Sequence, residues 1–271
     1  MSGNLRQRDL FIVDQAHDQD DRATLKIAEI VSAVCEKMGI AEPFAMSGRP
    51  DEEILRMNRH LLPRAAVLMS FGSKGGEKFS KREHELIEEY VRNGGHLLVM
   101  PVPPEKPPNS ILENFGAVFG DRKIVDEENH AGRHNDHIIV RDFSSHPINT
   151  GINAVRFGKF GCYPIMYGNL QTTELAWSSS SSEPPRVAVA TESVYGMGKV
   201  FLFGQTRLFQ DDFIKELDNE KWFTNIITYL CSERHPSEIG ERDKKGMLLC
   251  IYCGIEISEG DKFCGSCGQR I

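Results

Sequence analysis

The chain has 271 residues, 40% hydrophobic and 26% charged, with 32 basic against 39 acidic residues and a formal charge of -7. That balance, a mean hydropathy of -0.36 and a pI near 5.8 exclude a disordered or fibrous chain. They also argue against a broad cationic surface for phosphates, so nucleic acid is not the expected partner. At ~150 residues per domain, the length suits one large domain with a small appendage.

No run approaches the ~18 apolar residues of a membrane span. The polar start and the short apolar run Leu10 to Val13 make no signal-peptide core. A cytoplasmic protein without membrane insertion is expected. Cys35, Cys162 and Cys231 are scattered singly, while Cys250, Cys253, Cys264 and Cys267 form two close pairs. Reduced thiols plus a metal site fit this spacing better than a disulfide framework.

In chain order, residues 9–13 read as a buried strand, followed by a polar loop, Asp14 to Asp21. Apolar residues at helical spacing predict a helix over 24–38, stopped by Gly39. Strand 44–46, helix 51–62 and strand 65–69 come next. Ser80 with Glu83 three residues on forms a capping box for a third helix, which Asn93-Gly94-Gly95 ends before strand 96–100. Repeated strand-helix units with near-continuous apolar strands predict a doubly wound, mostly parallel α/β sheet of flavodoxin-like type.

Beyond Met100 the pattern is less regular. The proline-rich stretch Pro101 to Pro108 is an extended loop. A short helix over 109–115 ends at Gly116, and β-like segments follow at 137–141, 154–160, 175–177 and 187–191. Ser178 to Ser182 reads as a solvated surface loop. Gly196-Met197-Gly198-Lys199 reads as a hairpin turn and not as a phosphate loop. The last core strand is 199–203, and a final amphipathic helix covers 220–230. The expected division is an α/β domain over 1–231, a polar linker over 232–246 and a metal ribbon over 247–271.

The two CxxC pairs, each followed by glycine and separated by ten residues, supply four thiolates for one closed tetrahedral Zn2+ site. With no ligand position open, that zinc is structural, and it supplies folding energy to a segment too short for its own core. The ribbon carries Lys262 and Arg270 against Glu256, Glu259 and Asp261, which favours protein contact over nucleic acid.

A second constellation lies where loops leave the carboxyl ends of the central strands. Asp14, His17, Ser70, Gln205 and Arg207 share that edge, the usual ligand position of an open α/β sheet. Either they line a polar crevice, or they satisfy strand-end backbone groups and one another; the second reading is favoured. His130, His134 and His137, with Asp136 and His146 nearby, are read as a polar loop entering a strand in preference to a metal site. No serine or cysteine stands at a nucleophile elbow.

The segment from Phe79 through Asn93-Gly94-Gly95 to Leu97-Leu98-Val99-Met100 resembles the GIFT domain, shared by gliding-motility and ABC-transporter auxiliary proteins and an intraflagellar transport subunit. Asp14-Gln15-Ala16-His17, Ile111 to Gly116 and Gly198 to Gly204 with Asp211 and Asp212 fit the same resemblance. It implies a class I glutamine amidotransferase-like fold without the elbow cysteine and its His-Glu pair, and a role in binding or scaffolding. The expected function is a non-catalytic interaction subunit with protein partners, homo-oligomerisation being left open. The alternative is a hydrolase or sugar-binding protein using the crevice around Asp14 and His17.

Overall fold

The computed structural model describes residues 6–7, 10–14, 21–37, 44–46, 65–70, 79–103, 106–168, 170–232 and 236–237, with Ser258 and Lys262. The predicted helix over 51–62, His17 and the four ribbon cysteines lie outside the described residues. Eight strands form the main sheet: β1 (Leu10–Asp14), β2 (Phe44–Met46), β3 (Ala65–Ser70), β4 (His96–Val99), β5 (Asp142–Phe143), β6 (Gln171–Trp177), β7 (Ala188–Tyr195) and β8 (Gly198–Phe203). Their spatial order is β2-β1-β3-β4-β8-β7-β6-β5. Neighbours from β2 to β8 run parallel, and those from β8 to β5 run antiparallel.

The mostly parallel sheet expected from the sequence is therefore half of a mixed one. The reason is connection length: β7 and β8 are joined through Gly196 and Met197 with Tyr195 opposite Gly198, and so short a loop returns only antiparallel. Parallel pairing needs a crossover, and the helices supply it in the first half. These are α1 (Asp21–Lys37), α2 (Lys81–Arg92) and, after the sheet, α3 (Asn219–Ser232).

Both faces of the parallel half are covered. Ile27 and Val31 of α1 and Trp222, Phe223 and Ile226 of α3 join Val67, Met69, Leu98 and Phe201 in one core. On the other face Ile87 and Val91 of α2 pack with Ile12, Leu68, Leu97 and Leu202. Burial on two faces explains the continuous apolar strands, and each such side chain contributes about 1.5–3 kcal/mol.

The capping box at α2 forms as the sequence requires: Glu83 N–H donates to Ser80 Oγ at 3.3 Å and Ser80 N–H to Glu83 Oε2 at 2.6 Å. The far end of α2 meets the β7–β8 hairpin, where Met197 N–H donates to Arg92 O at 3.0 Å. A Cβ on Gly198 would stand 2.1 Å from Gly95 O, so this close approach requires glycine. Segment 109–115 is a 3-10 helix, a form used in short pieces, and Gly116 at φ 60° ends it. In the stretch read as a linker, α3 runs on to Ser232 and Pro236–Ser237 pairs with Arg6–Gln7.

Ser178 to Ser182 is not a solvated loop. Ser178 and Ser182 are buried, and Ser182–Glu183 pairs with Val125–Asp126. The buried Asp126 carboxylate accepts from Glu128 and Asn129 N–H (2.9 and 2.8 Å) and from the Ser179 and Ser181 hydroxyls. Burial pushes this carboxyl up, but the donors outweigh it and hold it below the usual carboxylate range.

A buried charged group ties the antiparallel half to α3. Lys199 Nζ lies 2.7 Å from Glu192 Oε1 and donates to Tyr229 Oη at 2.7 Å, while His146 Nε2 lies 2.9 Å from Glu192 Oε2. His146 Nδ1 accepts from Ile148 N–H, so the ring proton sits on Nε2, facing the carboxylate. Burial raises the Glu192 pKa, yet His146 and Lys199 together lower it below its ordinary 4.5. The stability this carboxylate contributes is thus present above pH 4.5 and lost as pH falls through the lower folded value. Glu192→Ala removes the carboxylate that faces the part-buried Lys199 and His146 and is expected to cost about 1.5–3 kcal/mol in urea unfolding at neutral pH. A loss below ~1 kcal/mol would show that water already screens the group.

Candidate functional site at the strand ends

Parallel pairing of β1, β3, β4 and β8 puts their carboxyl ends at one edge. Val13 pairs with Met69 and Ser70 with Val99, which sets Asp14 and Ser70 side by side on the face they share with Ile12 and Leu68. Asp14 is 4% exposed and Ser70 is fully buried. The Ser70 hydroxyl has no hydrogen-bond partner among the described residues. His17, expected next to Asp14, lies outside the described residues.

Gln205 and Arg207 serve the loops. The Gln205 side chain is fully buried; its Oε1 accepts from Gly158 N–H at 2.7 Å, and its Nε2 is 3.1, 2.9 and 2.7 Å from the carbonyls of Gly158, Lys159 and Gly161. Arg207 Nε donates to Pro103 O at 3.0 Å, and its guanidinium lies 5.3 Å from the Phe160 ring centroid. Thr206, which sequence reasoning missed, lies between them with its hydroxyl 2.6 Å from Met100 O and 2.9 Å from Pro101 O. Its buried position after a strand gives no sequence signal distinct from a solvated turn. Of the five crevice residues, the described edge sets only Asp14 and Ser70 side by side.

Cys162 sits close by, fully buried beneath Gly204, and burial pushes its thiol pKa well up. A protonated, enclosed thiol is neither nucleophile nor ligand.

The histidines divide into separate environments. Rings of His134 and His137 are 5.0 Å apart, while His146 belongs to the Glu192 group. Among the described residues no three His, Cys, Asp or Glu side chains stand together as a metal site. His137 Nδ1 is 3.1 Å from Arg156 Nη2. Arginine only donates, so Nδ1 is the acceptor and the neutral ring carries its proton on Nε2. Burial first, then the charge of Arg156, lowers the His137 pKa below its ordinary 6.5 against the opposing pull of Asp136, with His134 and Lys159 adding to the lowering. Arg156 in turn pairs with Glu216 at 3.0 Å and stacks on Phe213.

Residues 249–271 match the zinc-ribbon domain family. The α/β body is similar in fold to the mmIFT52 N-terminal domain, with a TM-score of 0.64 at 16% identity over 82% of this chain and 97% of that one. It is also similar to a cytoplasmic protein from Salmonella typhimurium LT2, with a TM-score of 0.53 at 11% identity over 82% of this chain and 98% of that one. A beta-galactosidase from Bacillus circulans sp. alkalophilus gives a TM-score of 0.51 at 12% identity over 85% of this chain, which spans 32% of the enzyme. At these identities the likeness is one of fold. A comparison with curated protein sequences gives no match. No helix among the described residues is long and apolar enough to cross a membrane.

Gln205→Leu removes the clamp at nearly constant volume and leaves three carbonyls and the Gly158 N–H without their partner. The expected cost is about 2–4 kcal/mol, with faster hydrogen exchange at Gly158; unchanged exchange there would show that water replaces the amide. His137 contributes stability that is present above pH 6.5 and lost as pH falls through its lower folded pKa. Wild-type Tm should therefore drop between pH 7.5 and 5.5 by more than that of His137→Gln, and equal drops in the two proteins would refute this assignment.

Proposed function

We propose that this chain is a non-catalytic interaction subunit. Its α/β body, a doubly wound domain of GIFT and glutamine amidotransferase-like kind, and its zinc ribbon engage protein partners in a larger cytoplasmic assembly. The observation that carries this reading is the use of the strand-end edge: Gln205, Thr206 and Arg207 hold loop carbonyls where an enzyme of this fold would hold its substrate. Likeness in fold to the mmIFT52 N-terminal domain supports it.

In the ribbon, Cys250, Cys253, Cys264 and Cys267 would hold one Zn2+. Four thiolates in two CxxC pairs suit that ion, which supplies folding energy to the segment.

A second reading, a hydrolase or sugar-binding site built on Asp14, His17, Ser70, Gln205 and Arg207, has one observation in its favour. The buried Ser70 hydroxyl, beside Asp14, lacks a partner among the described residues, as a group awaiting a ligand would.

One experiment separates the two. The intact protein and an Asp14→Asn, Ser70→Ala variant are used for affinity capture, with mass spectrometry of proteins and small molecules and a zinc assay. The subunit reading expects one zinc per chain, lost in Cys264→Ser, and one set of stoichiometric partners that the double substitution does not change. A small molecule that accompanies the wild type and is absent from the variant would overturn it in favour of the second reading.

A further inference from the structure

At the outer end of the antiparallel half, the two-residue strand β5 closes the sheet beside Trp177, which pairs with Asp142. The side chains there enclose a half-open cavity of about 290 Å³ with Ile139, Arg141, Trp177, Ser180 and Arg186 in its wall. Arg186 sits at φ 46°, in the left-handed region that Gly or Asn occupies at less cost. Its guanidinium lies 5.6 Å from the Trp177 ring centroid and its Nη1 is 2.6 Å from Asp142 Oδ2. The side chain is thereby held in place with most of its donors unused.

Arg141, on the same wall, is exposed and makes no hydrogen bond or ion pair among the described residues. Asp142 is the one carboxylate in the wall and already faces Arg186. The Glu174 and Asp126 carboxylates, which accept from the wall residues Trp177 (Nε1, 2.5 Å) and Ser179, are likewise already hydrogen-bonded, so the Arg141 guanidinium is the charge at this cavity left without a partner among the described residues. The cavity's volume lies just below the ~300–1,000 Å³ of small-molecule pockets, and it is open on one side, so it does not enclose a metabolite. It suits one side chain of a larger partner, and tryptophan and arginine are both enriched among interface anchors.

We propose that this groove docks an acidic segment of a partner polypeptide. One carboxylate sits between Arg141 and Arg186, and its aliphatic stem lies against Ile139 and Trp177. The proposal rests on the subunit reading and names the chemistry of a partner.

The test is titration of the full-length protein with a short Glu-rich peptide free of aromatic residues, followed by tryptophan fluorescence. Trp222, the other tryptophan, is fully buried and serves as an internal reference. Saturable binding is expected, weakened by added salt and by about tenfold in each of Arg141→Gln and Arg186→Asn. Asparagine accepts the left-handed backbone, so Arg186→Asn keeps the fold while removing the charge, and its Tm should not fall. No saturable binding, wild-type affinity in both variants, or displacement of the peptide by inorganic phosphate at equal concentration would each overturn the proposal. Failure here with the captured partner set intact removes the groove and leaves the subunit reading standing. Failure of capture as well removes both.

Discussion

The turn after β8 fixes the strand-end edge, because three successive side chains there bond loop carbonyls that lie wholly or partly out of water. Gln205 and Thr206 are fully buried, and between them they meet the carbonyls of Met100, Pro101, Gly158, Lys159 and Gly161. A buried carbonyl left without a donor costs about 1–3 kcal/mol, so loops of irregular shape are tolerated at this edge only while these bonds exist. The same bonds pin the proline-rich segment and the 158–161 turn against the sheet. An edge that in other α/β proteins stays open for a ligand is here, after β8, built into the fold.

The mixed sheet divides the molecule by chemistry as well as by strand direction. Helices bury the parallel half on both faces, so its interior is mainly apolar, with Asp14, Ser70 and His96 also buried in its strands. Hairpin connections free the antiparallel half from that cover. It can therefore hold charge in its interior, as in the Glu192, Lys199 and His146 group, and present charge at its margin, as at Asp142 and Arg186. The margin strand is two residues long, which limits backbone pairing with other chains and leaves side chains to make the contact.

What was legible in the sequence was what local chemistry determines. Ser80 and Glu83 specify a helix start without help from tertiary structure, and Gly196-Met197 specifies a hairpin. Gly116 specifies a helix stop because its left-handed φ is local too. The partners of buried polar groups were not legible, because they lie far apart in the chain. Asp126 turns Ser179 and Ser181, 53 and 55 residues away, from a polar tract into a packed network. Composition alone reads five serines as solvated. For the crevice, strand order was enough to place Asp14 and Ser70 together, but the direction of the Gln205 amide depends on a turn at 158–161 that has no periodicity to read. The Trp177 groove left a faint trace, an aromatic residue and an arginine flanking a serine and proline stretch, whose meaning required the strand pairing of 142 with 177.

Charge placement connects these observations to partner choice. A chain with a net charge of -7 repels acidic polypeptides at long range, and ions screen that repulsion within about 8 Å at physiological salt. At contact distance the nearest unpaired group decides, and in the groove that is the Arg141 guanidinium, because the Asp142, Asp126 and Glu174 carboxylates there are already bonded to Arg186, Ser179 and Trp177. Attraction is then confined to a segment that can place its carboxylate inside the groove, while an acidic surface that cannot enter meets only the general repulsion. Shape and charge act together there: the cavity admits a side chain, the tryptophan face favours one with an apolar stem, and the arginines require that it end in an anion.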